Sequence, residues 1–92
     1  MAALSNEDVQ AKLSGLDGWE QSGDAIEKQF EFEDFSGSVG FVDRLTPVAN
    51  EMNHHPDLAI SWNKVTVTLS THSEGGLTDA DFELAGKLDG LG

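Results

Sequence analysis

Few side chains in this chain can move a proton near neutral pH. Its three histidines are His54, His55 and His72, and imidazole, with an ordinary pKa of about 6.5, works as an acid or a base at that pH. Cysteine is absent, which removes thiolate nucleophiles, thiolate metal sites and disulfides together. His54 and His55 are adjacent and precede Pro56, whereas His72 continues the alternation Thr66, Thr68, Ser70, on the face opposite Val65, Val67 and Leu69. Two readings fit. The rings are solvated, with His-His-Pro satisfying the last carbonyls of a helix, or they converge on one ligand from two elements. A zinc site is disfavoured, because neither HExxH nor a Cys/His pairing is present and adjacent histidines rarely aim both rings at one ion. No metal is expected.

The elements that must position these rings follow from periodicity. Ser5-Asn6-Glu7-Asp8 reads as a helix start, with Leu4 and Val9 spaced as a hydrophobic staple. Val9, Leu13 and Leu16 share a face, and Gly15 and Gly18 mark the end. A short strand near Trp19 leads through Ser22-Gly23-Asp24 into a half-buried strand, where Ile26, Phe30 and Phe32 alternate with Glu27, Gln29 and Glu31. Asp34 or Ser36 can cap a second helix running to about Asn53, with Phe41, Leu45, Val48 and Met52 as its apolar stripe. Pro47 inside it predicts a kink. Asp57 to Trp62 is a third strand, Asn63-Lys64 a turn, and Val65, Val67 and Leu69 the buried face of a fourth. After Ser73-Glu74-Gly75-Gly76, Thr78 caps a last helix carrying Leu84, Leu88 and Leu91. The order α-ββ-α-ββ-α predicts an α+β, two-layer fold: a four-stranded antiparallel sheet with the helices packed on one face.

Asn53-His54-His55-Pro56, Trp62-Asn63-Lys64-Val65, Leu69-Ser70-Thr71-His72 and Gly76-Leu77-Thr78 with Asp81 together resemble the pterin-4a-carbinolamine dehydratases. The similarity extends upstream through Leu13, Gly18-Trp19, Ile26, Phe30-Glu31-Phe32 and Asp34-Phe35. It implies that residues 1–92 form one domain that associates as a homodimer or homotetramer. The implied activity is that of a 4a-hydroxytetrahydrobiopterin dehydratase, a lyase removing water from a 4a-hydroxy-tetrahydropterin to give the quinonoid dihydropterin, with no metal or organic cofactor. By position, His54, His55 and His72 match the family's active-site histidines, and Asp81 its associated carboxylate. Asn53 and Ser70-Thr71-His72-Ser73 match the stretches that line the pterin pocket with them. Two departures stand out: Asn50, followed by Glu51, occupies a position where the family commonly has an acid, and Pro47 replaces an ordinary helix residue.

The chemistry suits these residue types independently. Expelling hydroxide from C4a needs a proton on the leaving oxygen and removal of the N5 proton, and positioned proton transfers typically give about 10²–10⁴-fold each. Asp81 carries two compatible readings: at the third position of the last helix it can reach back to the Thr78 amide as a capping box, or it can orient an imidazole. Ser70 and Thr71 are also ordinary strand-face residues, and Trp62 is core, rim or a surface on which a flat pterin stacks. The rival function is a non-catalytic dimerisation or interaction module, since the resemblance includes a dimerisation cofactor of a homeodomain transcription factor. A pterin-binding enzyme of another pathway, such as molybdopterin metabolism, is a further alternative. Retention of all three histidines argues for catalysis.

At 92 residues the core is modest. Hydrophobic residues make up 38% of the chain and charged residues 24%, with two Trp and five Phe, a composition that folds rather than stays disordered. The opening MAALSNEDVQ has no basic and apolar leader pattern, and no apolar run approaches a membrane span, so a cytoplasmic protein without membrane contact is expected. Seventeen acidic residues against five basic ones give a formal charge of −12, which repels phosphate backbones and excludes nucleic-acid binding through a basic surface. The acids are scattered from Glu7 to Asp89 rather than run together, the pattern of a whole surface adapted to concentrated salt rather than of an acidic partner face or tail. Because self-repulsion is screened as the Debye length falls to about 3 Å at 1 M, the melting temperature should rise with KCl well beyond about 0.15 M. A flat or falling melting curve series from low to molar salt would point instead to an acidic partner face.

Overall fold

The computed structural model describes residues 3–92, so Met1 and Ala2 of the opening segment lie outside the described residues. The chain forms helix α1 (Asn6–Leu13), strands β1 (Glu20–Ser22) and β2 (Ala25–Glu31), helix α2 (Phe35–Met52), strands β3 (Asp57–Ser61) and β4 (Lys64–Leu69), a 3₁₀ turn at His72–Glu74, and helix α3 (Asp79–Asp89). This is the expected α+β order. The sheet runs β1-β2-β4-β3 with every neighbouring pair antiparallel. Among the described residues no helix is long and apolar enough to cross a membrane.

Alternation puts one face of the central strands into the core. Ile26 lies opposite Leu69 and Phe30 opposite Val65, and all four side chains are buried, while Glu27, Gln29 and Glu31 face outward. Buried residues of all three helices, from Val9 through Phe41 and Leu45 to Leu84 and Leu88, join the same cluster, so the helices cover that one face. Lys28 shares the inward face. Its stem lies against Phe30, with Nζ 4.8 Å from the ring centre, and its ammonium escapes to the rim, donating to Asp89 Oδ1 at 2.7 Å and the Asp17 carbonyl at 2.9 Å. The Trp19 indole N–H also donates to Asp89, at 3.1 Å, which ties the end of α3 to β2 and to the segment before β1.

In α2 the buried row is Phe41, Leu45 and Ala49, with Val48 and Met52 half-buried beside it. The expected stripe thus reaches the core, and Ala49 extends the buried i, i+4 row beside it. The helix runs unbroken through Pro47, which is exposed on the outer side. Helix α1 stops at Leu13, before the glycines expected to end it. Ser14 is the cap, and its hydroxyl donates to the Ala11 carbonyl at 2.6 Å, a local bond that competes with helix propagation. Leu91 packs on the core from beyond the end of α3.

The second hairpin is one residue earlier than expected. Ser61 pairs with Lys64, so the loop is Trp62-Asn63 and β3 stops at Ser61. The first hairpin pairs Ser22 with Ala25 around Gly23-Asp24. In both, the first loop residue has positive φ, 60° at Gly23 and 50° at Trp62, the handedness that matches strand twist. Glycine takes this conformation freely, whereas tryptophan takes it against steric cost. Three hydrogen bonds hold it. The buried Ser38 hydroxyl donates to the Trp62 carbonyl at 2.6 Å, the Phe32 N–H donates to the Asn63 carbonyl at 2.7 Å, and the Asn63 amide donates to the Phe32 carbonyl at 3.1 Å. Helix α2 and the end of β2 thereby fix the hairpin.

Candidate active site

Helix α2 ends in a Schellman motif without glycine. Asn53 takes the left-handed conformation, φ 50° and ψ 40°, which asparagine tolerates better than most residues. Its N–H donates to the Asn50 carbonyl, and the His54 N–H reaches the Ala49 carbonyl, both at 3.1 Å. His54 and His55 therefore stand beyond the helix, and helical rotation does not set the angle between their rings. The His54 backbone is fixed by the last turn of α2, and its ring crosses to α3, where Nε2 meets Asp81 Oδ1 at 2.6 Å.

Asp81 is fully buried and His54 nearly so, with side-chain exposures of 0% and 14%. A buried carboxylate needs donors in place of water. Besides the His54 ring, Asp81 has the Thr78 backbone N–H at 2.9 Å and the Thr71 hydroxyl at 2.8 Å, both on Oδ2. The two readings of Asp81 thus coexist in one side chain. One oxygen closes the helix start as a capping box, and the other holds an imidazole. Among the described residues no buried side-chain nitrogen or oxygen lacks a partner.

The other two histidines are exposed. His55 turns back on its own helix, with Nε2 2.9 Å from Asn50 Oδ1. That residue, the neutral replacement for the family's acid, becomes a partner of the second histidine. His72 does not continue the β4 alternation, because β4 stops at Leu69 and His72 opens the 3₁₀ turn. The reason lies in the chain's own closure: Thr71 bridges to Gly76, so the segment turns before His72 instead of extending. The His72 ring is 84% exposed, with Nε2 3.9 Å from Asp57 Oδ2 at the start of β3. Asp57 and Asn50 were not singled out as partners from the sequence, where an acid at a strand start and an amide five residues before a histidine carry no distinctive spacing. Ser70 is half-buried, Ser73 is exposed on the turn and Asn53 is exposed at the helix end.

The structure thus brings His54, Asp81, Thr71 and Thr78 into one network, and Thr71 carries it to the residue before His72. His55 stands beside this network without sharing its partners. A groove of about 200 Å³ lies elsewhere, between Leu4, Val9, Gln21, Asp24 and Leu77, and no histidine lines it. Among the described residues no three His, Asp or Glu side chains converge as a metal site would require.

Comparison with known proteins converges with this geometry. The family model described as pterin 4 alpha carbinolamine dehydratase matches residues 2–91. The chain belongs to the pterin-4a-carbinolamine dehydratase family. A protein of Thermosynechococcus vestitus, whose name assigns it that activity provisionally, is 51% identical over 88 residues, covering 96% of this chain and 93% of that one. A similarly named protein of Sulfurisphaera tokodaii is 46% identical over 91 residues, covering 99% and 98%. Among solved structures, a transcriptional coactivator/pterin dehydratase from Brucella melitensis superposes with a TM-score of 0.93 at 36% identity, covering 97% of each chain. A pterin dehydratase-like protein identified as a RuBisCO assembly factor of the alpha-carboxysome shares the fold at a TM-score of 0.64 and 23% identity, covering 79% and 84%.

Within this family fold, the weight resting on Asp81 has a measurable consequence. Asp81→Ala leaves three donors without their acceptor, one buried and two partly buried, and should lower the unfolding free energy by about 1–3 kcal/mol. Asp34→Ala, which removes only the exposed cap of α2, should cost about 1 kcal/mol or less. Urea midpoints at constant slope give both values. Equal costs for the two variants would show that Asp81 acts as a cap and nothing more.

Proposed function

We propose that this chain is a 4a-hydroxytetrahydropterin dehydratase whose proton carriers are His54 and His72. The C4a–O bond breaks as the N5 lone pair forms the N5=C4a double bond, the leaving oxygen takes a proton to depart as water, and the N5–H proton passes to a base. The observation that carries this reading is the His54 ring held 2.6 Å from a buried carboxylate, a counter-charge in place for a ring that gains and loses a proton. We assign His54 the delivery of the proton to the leaving oxygen. His72, open to solvent on its turn, takes the N5 proton and releases it to water. His55, tied back to Asn50, is assigned a positional role against the substrate. These groups meet the needs of the reaction without metal or organic cofactor, and 4a-hydroxytetrahydrobiopterin is the substrate we would test first.

Membership of the family supports a pterin dehydratase, but fold alone does not fix function. The coactivator description of the Brucella melitensis neighbour makes a non-catalytic role the reading to be separated. Dehydration of a 4a-carbinolamine substrate separates them. His54→Ala and His72→Ala should each lower kcat at least about 10²-fold and His55→Ala less, in variants whose circular dichroism and oligomeric state match the parent, and exhaustive chelation should leave the rate unchanged. Parental turnover by both variants would remove the catalytic assignment, and a rate lost to EDTA and restored by zinc would replace it with metal chemistry.

We also propose that the working form is a homo-oligomer. Strand β3 is a sheet edge whose helix-side residues Leu58 and Ile60 are 37% and 43% exposed, with Trp62, Phe35 and Val39 also exposed, and a bare apolar edge is one that proteins normally pair or cover. Sedimentation in molar KCl should show a dimer or tetramer, and Ile60→Lys should shift it toward monomer. A monomeric parent at high micromolar concentration would overturn this.

A further inference from the structure

We propose that Thr71 is a positioning residue: its hydroxyl, set between Thr78 and Asp81, fixes the orientation and tautomer of His54, while its backbone anchors the turn that presents His72. The inference rests on the catalytic reading of those two histidines, and it goes beyond a pocket-lining role for Thr71.

The hydrogens of the network can be placed by elimination. The Thr71 hydroxyl and the Thr78 N–H donate to Asp81, and an ionised carboxylate only accepts. The 2.6 Å contact with His54 therefore puts the hydrogen on Nε2, which leaves Nδ1 as the nitrogen that exchanges a proton with a substrate. The Thr71 hydroxyl has one hydrogen and gives it to Asp81 Oδ2 at 2.8 Å. Its 2.8 Å contact with the Thr78 hydroxyl must then use the hydrogen of Thr78. The chain of donors runs Thr78 to Thr71 to Asp81, and the Thr71 hydroxyl has no hydrogen left for a ligand. Oδ2 has one other donor, the Thr78 backbone N–H. Without the Thr71 hydroxyl the carboxylate is held on that side by a single bond, and its terminal torsion is a soft one. Loosening Asp81 loosens the ring hydrogen bond that holds His54.

The same residue closes the loop that carries His72. The Thr71 N–H donates to the Gly76 carbonyl at 2.9 Å, and the Thr71 carbonyl accepts from the Glu74 N–H at 3.0 Å. Thr71 is therefore the covalent and hydrogen-bonded link between a ring that starts from α2 and one that starts from the 3₁₀ turn. Groups standing behind an oriented imidazole in metal sites are typically worth about 10–100-fold in activity, and the effect expected here lies at the lower end.

The test combines kinetics with nitrogen-15 spectra of the histidine rings, His54 being identified by the signal lost in His54→Gln. In the parent, neutral His54 should be protonated on Nε2 alone. Thr71→Val should lower kcat about tenfold with KM near parental and should mix the two tautomers, and Thr71→Ser, which returns the hydroxyl, should restore both. Protonation of parental His54 on Nδ1 would overturn the proposal, as would a Thr71→Val variant with parental kcat and an unchanged tautomer. A rise in KM alone would make Thr71 a substrate contact instead. If Thr71→Val does not fold, Thr71→Ala removes the same hydroxyl and decides in its place, an unchanged tautomer with parental kcat again overturning the proposal. If the parent does not dehydrate the carbinolamine, the catalytic reading fails, while the tautomers of parent and variants still report whether Thr71 positions His54.

Discussion

A carboxylate removed from water costs several kcal/mol unless donors replace its hydration, and three separate segments converge to meet that need at Asp81. The end of α2 sends the His54 ring, the turn after β4 sends the Thr71 hydroxyl, and the first turn of α3 sends the Thr78 N–H. The buried charge therefore registers them against one another, and the histidines inherit positions set by that registration. Removing either the charge or one of its donors leaves a buried group unpaired, so the arrangement tolerates little local drift.

The sheet makes this convergence possible. The β2–β4 pair is central and carries Ile26, Phe30, Val65, Val67 and Leu69 on its covered face, so it forms the rigid floor on which α2 and α3 lie side by side. The end of α2 and the start of α3 are brought together above the end of β4, where the strand gives way to the Thr71–Gly76 bridge. At the opposite end, Trp62 is held at positive φ by bonds to α2 and β2. Strain of this kind persists only where the surroundings determine the backbone independently, and the Ser38 hydroxyl and the Asn63 side chain do so here. The two ends of the β3–β4 hairpin are thus tied to the same helix.

The charge distribution divides the molecule. Of the seventeen acids, Asp81 alone is buried, Glu74 and Asp89 are half-buried, and the rest are exposed. Asp89 receives both Lys28 and the Trp19 indole, so it serves the core rim as a structural anchor. Several of the exposed acids also have specific partners: Asp34 caps α2, Asp79 lies 3.0 Å from Lys12, and Asp57 lies 3.9 Å from the His72 ring.

Periodicity and turn chemistry were sufficient for the element order, the face assignments of β2 and β4 and the caps at Ser5 and Thr78, because these depend on residues close in sequence; they left the α2 cap between Asp34 and Ser36, and Asp34 fills it. The histidines were legible as candidates from residue type, and the family from their motifs. Local signals failed where a distant partner decided the outcome. The Trp62-Asn63 turn is set by Ser38 and Phe32, and the departure of His72 from the strand by Gly76. The two readings of Asp81 were both open in the sequence, a cap from its spacing to Thr78 and an imidazole partner from the family resemblance. Which histidine it meets was not, because the bond to His54 spans 27 residues, and the burial of the charge is decided only when the chain has closed around it.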